Sequence, residues 1–191
     1  MKIQFKKINT ASNYISFVRL LLAIPIFYFV SHIEDISGAR YILVGFYLFA
    51  YLTDILDGYF ARKFNEVSEL GKIIDPLADK VLVIMIVIYL YYFGMISSFY
   101  FWIIVLRDLI IFTGGIFVSR KIGMVLPSNY LGKGTVFSIG IYLIIVTLGY
   151  TSTNLIHNIF YYLTIILSFA SVITYGIRGF QEVKKVNNET V

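Results

Sequence analysis

Apolar residues fall into six runs along this chain, with polar and charged positions gathered between them. The runs are Ile15–Val30, Tyr41–Tyr59, Ile73–Phe93, Phe99–Val118, Tyr130–Leu148 and Leu155–Ile177. A helix that crosses a bilayer needs about 20 mostly apolar residues, and each run comes near that length. The breaks carry turn formers or charge: His32–Arg40, Arg62–Lys72, Gly94–Ser98, Ser119–Ser128 and Gly149–Asn154. The pattern predicts an all-α integral membrane bundle of six transmembrane helices. None of the breaks is long enough to hold a second domain, so residues 1–191 read as one, and no internal repeat is visible. Lys2, Lys6 and Lys7 precede the first run as the basic region of a signal peptide would. No clear small-residue cleavage site follows it, so a retained first helix is expected.

Composition strengthens this reading. Hydrophobic residues make up 59% of the chain and charged residues 14%, against about 25% charged in an ordinary soluble domain. A disordered chain is excluded, and a soluble one lacks the polar residues to cover its surface. There are no cysteines, hence no disulfide and no thiolate metal site. The formal net charge is +5, and its placement matters more than its size. Lys2, Lys6 and Lys7, then Arg62, Lys63 and Lys72, then Arg120 and Lys121, then Arg178, Lys184 and Lys185 mark alternate breaks, whereas the other loops hold only Arg40. The positive-inside rule then puts both termini in the cytoplasm. The excess is read as topology and not as a nucleic-acid footprint. Residues 1–12 place Ile3, Phe5 and Ile8 among lysines, which fits either a short interfacial helix or a basic, unstructured terminus.

Several ionisable residues interrupt the apolar runs: Arg19, Asp54, Asp57, Asp75, Asp79, Lys80, Arg107, Asp108 and Lys133. A charge at a helix centre in the bilayer costs at least about 2.5 kcal/mol. Asp54 and Asp57 are three apart, and Asp75 and Asp79 four apart, so each pair shares a helical face. The second run ends and the third begins at the same side of the membrane, which would bring the two pairs together. Four carboxylates in a low dielectric repel unless a cation joins them. Oxygen ligands without Cys or His favour one or two hard divalent ions such as Mg²⁺, Mn²⁺ or Ca²⁺. The alternatives are ordinary ones: Asp75 and Asp79 as helix-start acids, and Asp54 or Asp57 as a structural partner of Arg19 or Arg107. Gly58, Ala61 and Gly71 are small enough to admit a ligand, or a neighbouring helix, close to the backbone. Arg62 suits a diphosphate clamp or a topology anchor.

Read as one string, Asp54-x-x-Asp57-Gly58-x-x-Ala61-Arg62, eight residues, then Gly71-x-x-x-Asp75-x-x-x-Asp79, this segment resembles the motif of the CDP-alcohol phosphatidyltransferase family at all eight fixed positions. The opening Asn13-Tyr14-Ile15-Ser16-x-x-Arg19 is similar to an Asn-x-x-Thr-x-x-Arg stretch in many members, with Ser16 in place of threonine. The resemblance implies a six-helix fold. It also implies transfer of a phosphatidyl group from a CDP-linked donor to an acceptor hydroxyl, with release of CMP. By the same resemblance Asp54, Asp57, Asp75 and Asp79 would bind Mg²⁺ or Mn²⁺, Asp79 would be the general base, and Thr53, Gly58, Ala61, Arg62 and Gly71 would line the CDP site. A homodimer in a bacterial cell membrane is implied as well, with CDP-diacylglycerol bound near the cytoplasmic face.

The acceptor is read from further along the chain. Arg107, Lys133 and Arg120 could form an anion pocket for a phosphorylated alcohol, or Arg107 could simply pair with Asp108 and Arg120 anchor the topology. The segments around Asp57 and Asp79 most resemble family members that use glycerol 3-phosphate. Leu131-Gly132-Lys133-Gly134-Thr135 resembles their Gly-Lys-x-Lys-Thr element with Gly134 replacing the second lysine, and Arg107-Asp108 replaces Arg-Glu. Members that transfer to phosphatidylglycerol share the core and often carry Arg-Asp; inositol phosphate and serine are other acceptors. A cation transporter is the rival outside enzymology, since buried carboxylates also mark ion paths, but no inverted repeat is seen.

Overall fold

The computed structural model describes residues 18–63, 71–122 and 129–189, with the side chains of 57–63, 71–79 and 187–189 outside the description. The described residues form α-helices and turns, with no strand among them. The helices are α1 (Ala23–Ser31), α2 (Ala39–Lys63), α3 (Gly71–Tyr92), α4 (Ser98–Ile122), α5 (Tyr130–Thr147) and α6 (Leu155–Glu189). Among the described residues four stretches are long and apolar enough to cross a membrane: Ala39–Leu56, Ser98–Ile122, Tyr130–Thr147 and Leu155–Val186. Val18–Ser31 and Lys80–Tyr92 are shorter apolar helices. The proposed amphipathic helix at 1–12 and the Asn13–Ser16 element lie outside the described residues.

The helices follow the apolar runs closely, with two departures. The final helix does not stop at Ile177 but continues to Glu189. Polar residues end the apolar stretch without breaking helical geometry, and Glu182 pairs with Lys185 three residues on, at 2.9 Å. Arg120 and Lys121 are not in the loop after α4 but in its last turn, where cations complement the helix dipole. Lys121 also lies 5.1 Å from the centre of the Phe117 ring, one turn back.

Glycines set two of the helix ends. Gly94 and Gly149 have positive φ, 71° and 93°. After α3, Gly94 N–H donates to Tyr91 O at 3.0 Å and Met95 N–H to Leu90 O at 2.8 Å. After α5, Gly149 N–H donates to Val146 O at 2.9 Å and Tyr150 N–H to Ile145 O at 3.2 Å. Each pair of bonds satisfies carbonyls that the helix end would leave open, through a left-handed residue that glycine adopts without strain.

The chain falls into two compact units, Met1–Met95 and Ile96–Val191. In the first, α1 packs against both α2 and α3, and Ile26, Val30, Leu43, Val87 and Leu90 are buried. In the second, α6 packs against α4 and α5. Small polar side chains lie on the inner faces there beside apolar ones such as Ile104, Ile139 and Leu143: Thr135 and Ser138 on α5, Thr164, Ser168 and Ser171 on α6, all buried. Such residues let helices approach closely and bond locally. Thr135 shows how, with Oγ1 2.8 Å from Leu131 O on its own helix and 3.2 Å from Leu167 O on α6. Outward-facing positions carry large apolar side chains, among them Tyr41, Trp102, Phe117, Phe137 and Ile166, all exposed. A soluble protein would not present this surface to water; hydrocarbon accepts it.

Candidate active site

The four aspartates lie where the sequence motif put them on the backbone: Asp54 and Asp57 on α2, Asp75 and Asp79 on α3. Gly58, Ala61 and Arg62 follow on α2, and Gly71 opens α3. The side chains from Asp57 to Asp79 lie outside the described residues, so the expected convergence of carboxylates does too. Asp54 and Thr53 are described. Thr53 donates its hydroxyl to Ala50 O at 2.8 Å, a bond within α2. Asp54 Oδ1 accepts from Nη1 of Arg19 at 3.2 Å. Arg19 is 2% exposed, whereas the Asp54 side chain is 47% exposed. The pairing expected of a structural aspartate is therefore present. It also fixes one face of the carboxylate and leaves the side chain accessible, as an outer partner does for a metal-ligating acid.

The second unit holds a buried guanidinium. Arg107 lies mid-way along α4 and is 7% exposed. Its Nε donates to Ser171 Oγ on α6 at 3.1 Å, and its Nη1 pairs with Asp108, the neighbour anticipated for it. The Ser171 hydroxyl itself donates to Ser168 O at 2.8 Å, so the oxygen presents lone pairs to Arg107. The remaining terminal nitrogen, Nη2, faces the start of α5: it lies 3.9 Å from where a Cβ on Gly132 would stand. That Cβ would also meet Asn129 Oδ1 at 2.7 Å, so a larger residue there would push the capping side chain aside. Asn129 caps α5, its Oδ1 accepting Gly132 N–H at 2.6 Å.

Of the three residues expected in the anion pocket, the structure brings Arg107 to the first turn of α5, which ends at exposed Lys133. It does not bring Arg120 there. Thirteen residues separate Arg107 from Arg120 on one helix, about 20 Å along the axis, and Arg120 is exposed. One phosphate cannot reach both. Ser171 and Asn129 were not singled out in the sequence. Ser171 gave no signal, being one of many small residues in the last run; Asn129 did, as a capping residue immediately before an apolar helix.

Positive charge collects at this place. The Arg107 guanidinium lies beside the positive end of the α5 dipole, with Lys133 at the end of that turn and Asp108 paired to the guanidinium, an arrangement that suits an anion.

The family model of CDP-alcohol phosphatidyltransferases matches residues 9–171 and so runs through both units. This chain belongs to the CDP-alcohol phosphatidyltransferase family, and is a multi-pass integral membrane protein of the transferase class. It is 34% identical to the CDP-diacylglycerol–glycerol-3-phosphate 3-phosphatidyltransferase of Aquifex aeolicus, over 91% of this chain and 97% of that one. It is 30% identical to the protein of the same name from Mycoplasma genitalium, over 93% of this chain and 87% of the relative. A Bacillus subtilis protein of that name is 40% identical over 46% of this chain and 45% of its own.

Proposed function

We propose that this protein transfers the phosphatidyl group of CDP-diacylglycerol to glycerol 3-phosphate and releases CMP, a step of phospholipid biosynthesis. The observation that carries the reading is similarity along almost the whole chain to the Aquifex aeolicus transferase of that name. In the reaction the acceptor oxygen bonds to the phosphatidyl phosphorus as the P–O bond to CMP breaks. Asp79 takes the hydroxyl proton as general base. Arg62 binds the diphosphate, and Gly58, Ala61, Gly71 and Thr53 form the wall against which the nucleotide lies. Arg107 and Lys133 hold the acceptor phosphate, while Arg120, too far along α4 to join them, anchors the topology.

Asp54, Asp57, Asp75 and Asp79 supply an all-oxygen donor set suited to one or two Mg²⁺ or Mn²⁺ ions. Asp54 fits this role, since Arg19 holds its carboxylate from one side while the side chain stays accessible. Bound there, divalent ions would offset charge on the diphosphate. All six apolar segments span the membrane in this reading, with both termini and the site at the cytoplasmic face and two chains forming a homodimer. The test is CMP release by purified protein given CDP-diacylglycerol and glycerol 3-phosphate, before and after chelation. Release that EDTA abolishes and Mg²⁺ or Mn²⁺ restores is the expected result. Undiminished release in excess EDTA contradicts the metal assignment, and no release with both substrates and metal contradicts the reaction.

A further inference from the structure

Asn129 does more than cap α5. Its Oδ1 accepts the Gly132 N–H, which settles the orientation of the amide, because only the oxygen can face that donor. The NH₂ group is then turned elsewhere. Among the described residues this Nδ2 is buried and without a hydrogen-bond partner. Buried donors are normally satisfied, and an orphaned one points to something that completes it.

The surroundings indicate what. Asn129 Cγ and Arg107 Nη2 each lie 3.9 Å from the same point, the place a Gly132 Cβ would take. The amide and the guanidinium are thus within about 8 Å of each other. A tetrahedral phosphate that accepts from each at about 2.9 Å bridges donors up to that far apart. The Arg107 group is steadied by Ser171 at 3.1 Å and by Asp108, so Nη2 presents a fixed target. The neighbouring first-turn N–H groups of α5 are donors as well. A cluster of donors of this kind suits an acceptor-only ligand with several oxygens.

We propose that Asn129 Nδ2 donates to the phosphate of the acceptor alcohol, making Asn129 a specificity residue that favours phosphorylated over uncharged acceptors. The proposal rests on the reading of the reaction given above, and places a new ligand beside Arg107. The capping oxygen holds the amide in place, so one side chain both starts the helix and binds the substrate.

Two substitutions separate these roles. Asn129→Asp and Asn129→Ser both retain a good capping oxygen, and both remove the amide donor. The aspartate also sets a negative charge against the phosphate. The expected result is a KM for glycerol 3-phosphate raised about tenfold in the serine variant and further in the aspartate variant. The KM for CDP-diacylglycerol and the melting temperature in detergent should not change. Acceptor KM values equal to those of the unmodified protein would reduce Asn129 to a cap and overturn the proposal. A raised KM for CDP-diacylglycerol alone would move the amide to the donor diphosphate and overturn it equally. Should the unmodified protein release no CMP with glycerol 3-phosphate, the reaction reading fails while Asn129 is still judged by inorganic phosphate. A phosphate-induced rise in melting temperature that both variants lose supports the anion site, and a rise they keep removes it.

Discussion

Asp79→Asn lowers CMP release about 100- to 10,000-fold, the range that a positioned general base contributes, while the protein remains folded. Asparagine keeps the volume of aspartate and loses its charge and its capacity to take a proton. Turnover should therefore fall in kcat, with the melting temperature and detergent elution volume held. Asp79 is assigned two roles, proton acceptor and one of four acidic ligands, and ion titration separates them. If the base role is the one lost, raising Mg²⁺ or Mn²⁺ leaves the rate low. Recovery of the rate at high metal would assign Asp79 to ion holding alone, and near-normal turnover at ordinary metal would remove both roles.

Arg107→Ala raises the KM for glycerol 3-phosphate about 10- to 100-fold, as expected from loss of charge-assisted hydrogen bonds to an anion. Because the guanidinium is buried and paired with Asp108, the alanine variant also leaves a carboxylate without its partner, a known route to instability. Arg107→Lys keeps the charge but cannot reproduce the fork that reaches Ser171 and Asp108 at once; it should fold and show the same direction of change. Ser171→Ala acts through Arg107 by removing the acceptor of its Nε, and should give a smaller rise in the same KM. Steady-state kinetics with both substrates varied check all three. An acceptor KM that does not move in Arg107→Lys would place the phosphate elsewhere.

The helices were readable in the sequence because apolar runs of near-bilayer length can hardly be anything else. Tyr41–Tyr59 and Tyr130–Leu148 match Ala39–Lys63 and Tyr130–Thr147 to within a few residues. Where hydropathy and helicity part, the reading stopped short: past Ile177 the residues turn polar but the backbone stays helical to Glu189. The same cause put Arg120 in a loop, although it belongs to the last turn of α4. The pairing of Arg19 with Asp54 is one the sequence allows, since a cation and an acid within apolar runs tend to meet. The Arg107–Ser171 bond is not, because it joins residues 64 apart on helices whose mutual rotation no periodicity reveals. Nor did spacing show that the Asn129 side chain folds back over Gly132. The chemistry was legible as residue types; the geometry around Arg107 became so only with the helices of its unit packed.

The central claim is tested most directly by an acceptor panel. Purified protein in detergent, with CDP-diacylglycerol and Mg²⁺, is offered glycerol 3-phosphate, inositol 1-phosphate, serine and phosphatidylglycerol in parallel, and CMP is measured. The account predicts release with glycerol 3-phosphate and little with the others. Release with phosphatidylglycerol alone would contradict the assigned acceptor while keeping the family chemistry, and release with none of the four would contradict the reaction itself.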